Sequence, residues 1–155
     1  MKIALAALVL CVPAVVGSAA AAAATAGHVA PQAQLFSWVP AGGFPDPFPF
    51  GQCTWWAAYN HRVTWGGNAA EWLVNARAHG LPTSQAPSLG AIAVFEPGGA
   101  YSRYGHVAIV IAVSSTSYTV SEMNAFGWGR VSTRAIASPD PHVQGFIPVA
   151  EAEAR

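Results

Sequence analysis

AIAVFEPGGAYSRYGHVAIVIAVSSTSYTVSEMN, residues 91–124, decides the fold. Its hydrophobic period is that of extended chain. AIAVF (91–95) is a short apolar run, and HVAIVIAV (106–113) is apolar at almost every position, as a central strand covered on both faces requires. SYTVSEMN (117–124) alternates, with residues 114–116 making the hairpin turn before it. Between the first two strands lies EPGGAYSRYG (96–105), a glycine-rich turn. Downstream, RVSTRAIA (130–137) and VQGFIPV (143–149) read as two further strands.

Upstream the period becomes helical. In residues 52–62, Cys53, Trp56, Ala57 and Asn60 recur at i, i+3, i+4 and i+7, one helical face. A second helix is marked at both ends. Asn68 is an N-cap with Glu71 three residues on, a capping-box spacing, and Gly80 with Pro82 stops the run. Ala69, Trp72, Leu73 and Ala76 form its apolar stripe. Helices first and antiparallel strands afterwards predict an α+β fold, with N-terminal helices packed on an antiparallel β-sheet of about five strands.

The chain of 155 residues is sized for one domain. Met1-Lys2, the apolar run that follows through Val16, and the small residues from Ser18 to Ala26 predict a secretory signal peptide over residues 1–26. The apolar run dissolves into alanines short of the roughly 20 residues a bilayer span needs, so no stable membrane anchor is expected after cleavage. Cys11 lies inside that segment, and bulky Leu10 argues against lipid attachment there. Residues 27–47, with prolines at 40, 45 and 47, read as an extended linker. Residues 48–149 are the catalytic domain and 150–155 a tail. Lys plus Arg and Asp plus Glu are 7 each, for a net charge of zero. Nucleic acid therefore lacks its electrostatic footprint, and recognition has to come from shape, aromatic rings and hydrogen bonds.

Export leaves one cysteine, Cys53, unpaired in an oxidising compartment, where a leftover thiol is either a partner for another chain or reactive. It falls at a helix start, where backbone N–H groups and the helix dipole favour a thiolate and offer donors to an oxyanion. A buried cysteine serving only as a small hydrophobe is the alternative. For a base, His28 and His142 fall in the linker and a turn, and His61 and His79 near helix ends where surface roles suffice. His106 opens the most apolar strand directly after the glycine-rich turn. Ala108, Val110 and Ala112 follow on its face, small enough to admit a helix. Alternation places Tyr118, Val120, Glu122 and Asn124 together, a face running from core into cleft, where Glu122 or Asn124 would orient an imidazole. No zinc-type ligand spacing occurs, and no metal or cofactor is expected.

FPFGQCTWWA (48–57), WGGNAAEW (65–72), PSLGAIAVF (87–95), GHVAIV (105–110) and VSEMN (120–124) together resemble the CHAP family, the cysteine- and histidine-dependent amidohydrolase/peptidases of the papain-like, NlpC-type group. The blocks occur in family order. The resemblance implies a papain-like fold, with Cys53 as nucleophile, His106 as base, Glu122 as third catalytic residue and Asn124 as an accompanying polar group. Trp56 stands where tyrosine is frequent. The implied substrate is peptidoglycan, cut at an amide in the stem peptide or cross-bridge, or between sugar and peptide, by a secreted or wall-associated monomer. Gln52 and Trp128, the latter in the FGWGR turn, are the expected substrate contacts. Two other readings fit the same fold: a non-catalytic wall-binding domain, and an amidase or peptidase acting on a different substrate.

Overall fold

A computed structural model describes residues 38–149. The expected signal peptide, the first part of the linker and the tail lie outside these residues. Helix α1 spans Cys53–Asn60; a 3-10 turn, Ala69–Glu71, leads into α2, Trp72–Ala78. Five strands follow: β1 Ile92–Phe95, β2 His106–Val113, β3 Ser117–Met123, β4 Val131–Ala137 and β5 Val143–Ile147. They form one antiparallel sheet in the order β4-β3-β2-β1-β5, with β2 in its centre.

Local chemistry accounts for the helix ends. The Glu71 carboxylate accepts the Asn68 N–H at 2.8 Å, so the capping pair is formed. At the other end of α2, Gly80 takes φ +81°. Its N–H donates to the Arg77 carbonyl at 2.9 Å and that of Leu81 to the Ala76 carbonyl at 3.0 Å, a Schellman closure.

Each face of the sheet buries its own cluster. On one side Val94, Val107 and Ile109 meet the helices, where Ala57, Ala58 and Ala76 allow close approach and Trp65 packs edge-on against Trp72. On the other lie Phe95, Tyr118, Ile136 and Phe146 over Ala93 and Ala108. This corrects one expectation: the small residues following His106 do not receive a helix, because both helices lie against the opposite face. Instead they make room for aromatic rings inside a curled sheet. The Tyr118 and Phe146 rings are 5.3 Å apart, although their strands stand three places apart, roughly 14 Å in a flat sheet.

Residues 38–47 are not free of the domain. The Trp38 N–H bonds the Ile111 carbonyl, the Phe44 N–H bonds that of Tyr59, and the Gly42 N–H bonds Asn60 Oδ1. Trp38 also stacks on His61 at 5.0 Å between ring centroids. His61 is therefore buried rather than at the surface, and neither ring nitrogen has a hydrogen-bond partner among the described residues. Burial pushes it down to about 4. Unfolding releases it to about 6.5, so the stability it permits is present above that value and is lost as pH falls toward 4, by about 3 kcal/mol. His61→Phe should flatten the loss of stability between pH 6.5 and 4.5 in chemical denaturation; an unchanged slope would count against a buried neutral ring.

Gly105 joins the glycine-rich loop to β2 at φ +74°. A Cβ there would stand 2.8 Å from both the Ala70 nitrogen and the Phe95 oxygen. Both are backbone atoms with little freedom to move, and the Ala70 N–H is tied to the Tyr104 carbonyl at 2.9 Å. Gly105→Ala should cost about 2–4 kcal/mol, from the strained backbone and the clash together. A denaturation midpoint equal to that of the parent protein would contradict this packing.

Candidate active site

Cys53 is the first residue of α1, and it is the free cysteine of the described residues. Gly51, at φ +94°, turns the chain, and Gln52 holds the extended N-cap conformation before the helix begins. The buried face of α1 then brings the thiol to the mouth of β2. Burial pushes the thiol up, but the His106 ring, by hydrogen bond and charge, and the N–H groups of Val107 and Thr54 bring it net below its ordinary value.

His106 opens β2 and is 5% exposed. Its Nε2 lies 3.0 Å from Glu122 Oε2, which leaves Nδ1 for the thiol. Burial alone would lower the imidazole, yet its bonds to Cys53 and Glu122 push it up to about 9. The thiol is held down and the imidazole up, so each group favours the charged form of the other.

Strand register explains why Glu122 takes the ring. Ile109 pairs with Ser121 and Val110 with Val120. Continuing that register sets Asn124 opposite His106, with Glu122 on the diagonal, within reach of a long side chain. Asn124 stands just past the strand at φ +66°, and its N–H bonds the Arg130 carbonyl. It lines the cavity beside the thiol but makes no hydrogen bond to His106 or Glu122.

Glu122 is wholly buried. Burial would raise its carboxyl, but hydrogen bonds from His106 and Arg134 hold it net below the usual carboxylate range. Arg134 Nε donates to Oε1 at 3.0 Å and Nη2 to Oε2 at 3.1 Å, a two-toothed fork. Nη2 also donates to the Tyr101 hydroxyl at 2.6 Å, and the Tyr101 ring stacks on His106 at 5.0 Å and 12°. Arg134 and Tyr101 belong to the site although the sequence reading names neither. For Arg134 there was a signal: Ser132, Arg134 and Ile136 alternate inward on β4, a charge beside a core residue. Tyr101 lies in the aperiodic loop and offers none.

Two cavities meet at the thiol. The first, about 300 Å³, is bounded by Tyr101, His106, Asn124, Phe126 and Arg134; the second, about 280 Å³, by Phe48, Asn68, Ser102 and Tyr104. Gln52, Cys53, Ser102 and Gly105 line both. Trp128 lines neither; it is exposed, its indole set against Gly51 where a Cβ would otherwise fit.

A thiol on a helix start facing an imidazole on the central strand of an antiparallel sheet is the arrangement of the papain-like α+β enzymes, and that is the class this fold defines. Within it, the family model described as the CHAP domain matches residues 43–124, more than half of the chain, and the protein belongs to that family. Among curated relatives, "Probable autolysin LDP" of Staphylococcus aureus (strain NCTC 8325 / PS 47) is 35% identical over 100 residues, covering 59% of this chain and 34% of that protein. Among solved structures, an N-acetylmuramoyl-L-alanine amidase from Staphylococcus aureus aligns with a TM-score of 0.56 at 29% identity, over 74% of this chain and 36% of that one. The structure of Ly7917 shares the fold, with a TM-score of 0.50 at 21% identity over 72% of this chain and 57% of that one. The chain thus spans about a third of the curated relative it matches.

Proposed function

We propose that this protein is a secreted peptidoglycan hydrolase that cleaves an amide bond through the Cys53 thiolate. The observation that carries the reading is the line Cys53–His106–Glu122 running into the floor between two cavities. Membership of the CHAP family supports it, as do likenesses to a protein named as an autolysin and to one named as a muramoyl-alanine amidase.

In this scheme the thiolate attacks the amide carbonyl, a C–S bond forms, and the carbonyl oxygen takes up the negative charge. The Cys53 N–H at the helix start and the Gln52 side chain receive that oxyanion. The His106 imidazolium gives its proton to the amide nitrogen as the C–N bond breaks, and the amine leaves. Water then attacks the thioester with His106 as base, releasing the acid and restoring the thiolate. Glu122 keeps the ring oriented and its charged form stabilised. Asn124 borders one cavity as a polar substrate contact, and Trp128 offers a stacking face beside Gly51. Residues 1–26 would direct export and 150–155 would trail the catalytic domain.

The test is to incubate mature protein with purified peptidoglycan and identify the released termini by mass spectrometry. A new free amine paired with a new carboxyl, at one bond type, is the expected outcome and tells stem-peptide cleavage from sugar–peptide cleavage. Binding to the wall without new termini would sink the hydrolase reading in favour of a binding domain.

A further inference from the structure

We infer that Arg134 is a positioning residue of this site, its guanidinium fork fixing the Glu122 carboxylate that orients His106, with Tyr101 as the fork's second anchor. The inference rests on the reading of Cys53 and His106 as the reacting pair. Glu122 Oε1 is held by Nε, while Oε2 is shared between Nη2 and His106 Nε2. Both carboxylate oxygens are thereby fixed, and the lone pair aimed at the imidazole has one direction. The guanidinium carbon stands 5.7 and 5.5 Å from the centres of the Phe95 and Tyr101 rings, which are themselves 4.8 Å apart, so the cation caps one side of the aromatic pair. A lysine ammonium could keep the charge beside these rings but not the planar two-toothed fork onto Glu122.

Tyr101 closes the ring of contacts. Its hydroxyl accepts from Arg134 while its face covers His106, so the base is gripped at its edge by Glu122 and over its plane by Tyr101. The same loop walls both cavities, through Tyr101 on one side and Tyr104 on the other. The charged and titratable groups facing this cluster are Cys53 from α1, His106 from β2, Glu122 from β3 and Arg134 from β4. Asp140, beyond β4, acts on Tyr101 from a distance.

Removing the cation leaves a buried carboxylate with His106 as its one partner, free to turn away or to take up the ring's proton. Either outcome withdraws the oriented imidazolium that stabilises the thiolate. Lysine keeps the charge and loses the fork, so the two substitutions separate electrostatics from geometry.

The experiment measures the rate of Cys53 alkylation by iodoacetamide against pH, together with kcat and KM on peptidoglycan, for the parent protein, Arg134→Met, Arg134→Lys and Tyr101→Phe. Rates are normalised to the folded fraction. For Arg134→Met the acid limb of alkylation should move up by roughly one pH unit. Its kcat should fall about 30-fold with KM within about 2-fold. Arg134→Lys should keep the limb and lose about 10-fold in kcat, and Tyr101→Phe, which keeps the stack, about 3-fold. An unmoved limb and unchanged kcat in Arg134→Met overturns the inference, and so does full kcat in Arg134→Lys, the variant to rely on if Arg134→Met does not fold. Alkylation needs no substrate. Parent protein that alkylates readily yet releases no termini therefore defeats the hydrolase reading, while the shift of the limb still decides the role of Arg134.

Discussion

Cys53→Ala should lower the release of new termini from peptidoglycan by at least about 10⁴-fold, since the acyl intermediate has no atom on which to form. Cys53→Ser should fare little better. The His106 ring and the N–H groups of Val107 and Thr54 stabilise an anion on sulfur, and these are too little to ionise a hydroxyl. Folding should survive both changes. The residue sits at a cavity wall, and losing one small side-chain atom there costs about 1 kcal/mol or less. The parent protein should react with iodoacetamide well below pH 8, where an ordinary thiol of pKa about 8.5 is slow. A Cys53→Ala protein that still releases termini would show that the chemistry lies elsewhere.

Glu122→Gln is expected to cost about 10²-fold or more in kcat, with a loss of stability that depends on pH. A glutamine amide keeps one oxygen where the carboxylate offers two, and its NH₂ faces donors on His106 or Arg134. The imidazolium loses its counter-charge as well. The carboxyl is held below its unfolded value, so its contribution to stability is present above about pH 4.3 and disappears as pH falls through the lowered folded value. At pH 7 the variant should be less stable by about 2 kcal/mol, a figure discounted from the usual cost of breaking a buried pair because Arg134 is partly exposed. Denaturation series at pH 7 and in acid would check this. A gap that stayed constant down to pH 3 would mean that shape, and not charge, ties Glu122 to its neighbours.

Elements and their order were readable because each carried a clear period or stop. Asn68–Glu71 and Gly80 bracketed the second helix, and the apolar run from His106 announced the central strand. Which face of the sheet the helices cover was not readable. Ala108 and Val110 on one side and Val107 and Ile109 on the other are equally apolar, and only the assembled packing chooses between them. The same limit hid His61, whose burial comes from Trp38 folding back from 23 positions away in the chain. At the site, alternation along β3 grouped Glu122 with Asn124 but could not rank them. The left-handed backbone at Asn124 and the diagonal reach of Glu122 from His106 separated them.

The two cavities that share Gln52 and Cys53 bear on how the protein lets go of its products. On the proposed reading, an uncut chain lying across the thiol would be held by both hollows at once, so a fragment slipping from one would be kept nearby by the other and return quickly. Scission severs that linkage. Each half would then hold on with a single grip and depart on its own side, the amine first and the acyl part after hydrolysis. The proposed reaction would thereby weaken the binding of what it makes, and a chain of zero net charge, with no long-range attraction to a fixed polymer mesh, would gain a means of turning over within it.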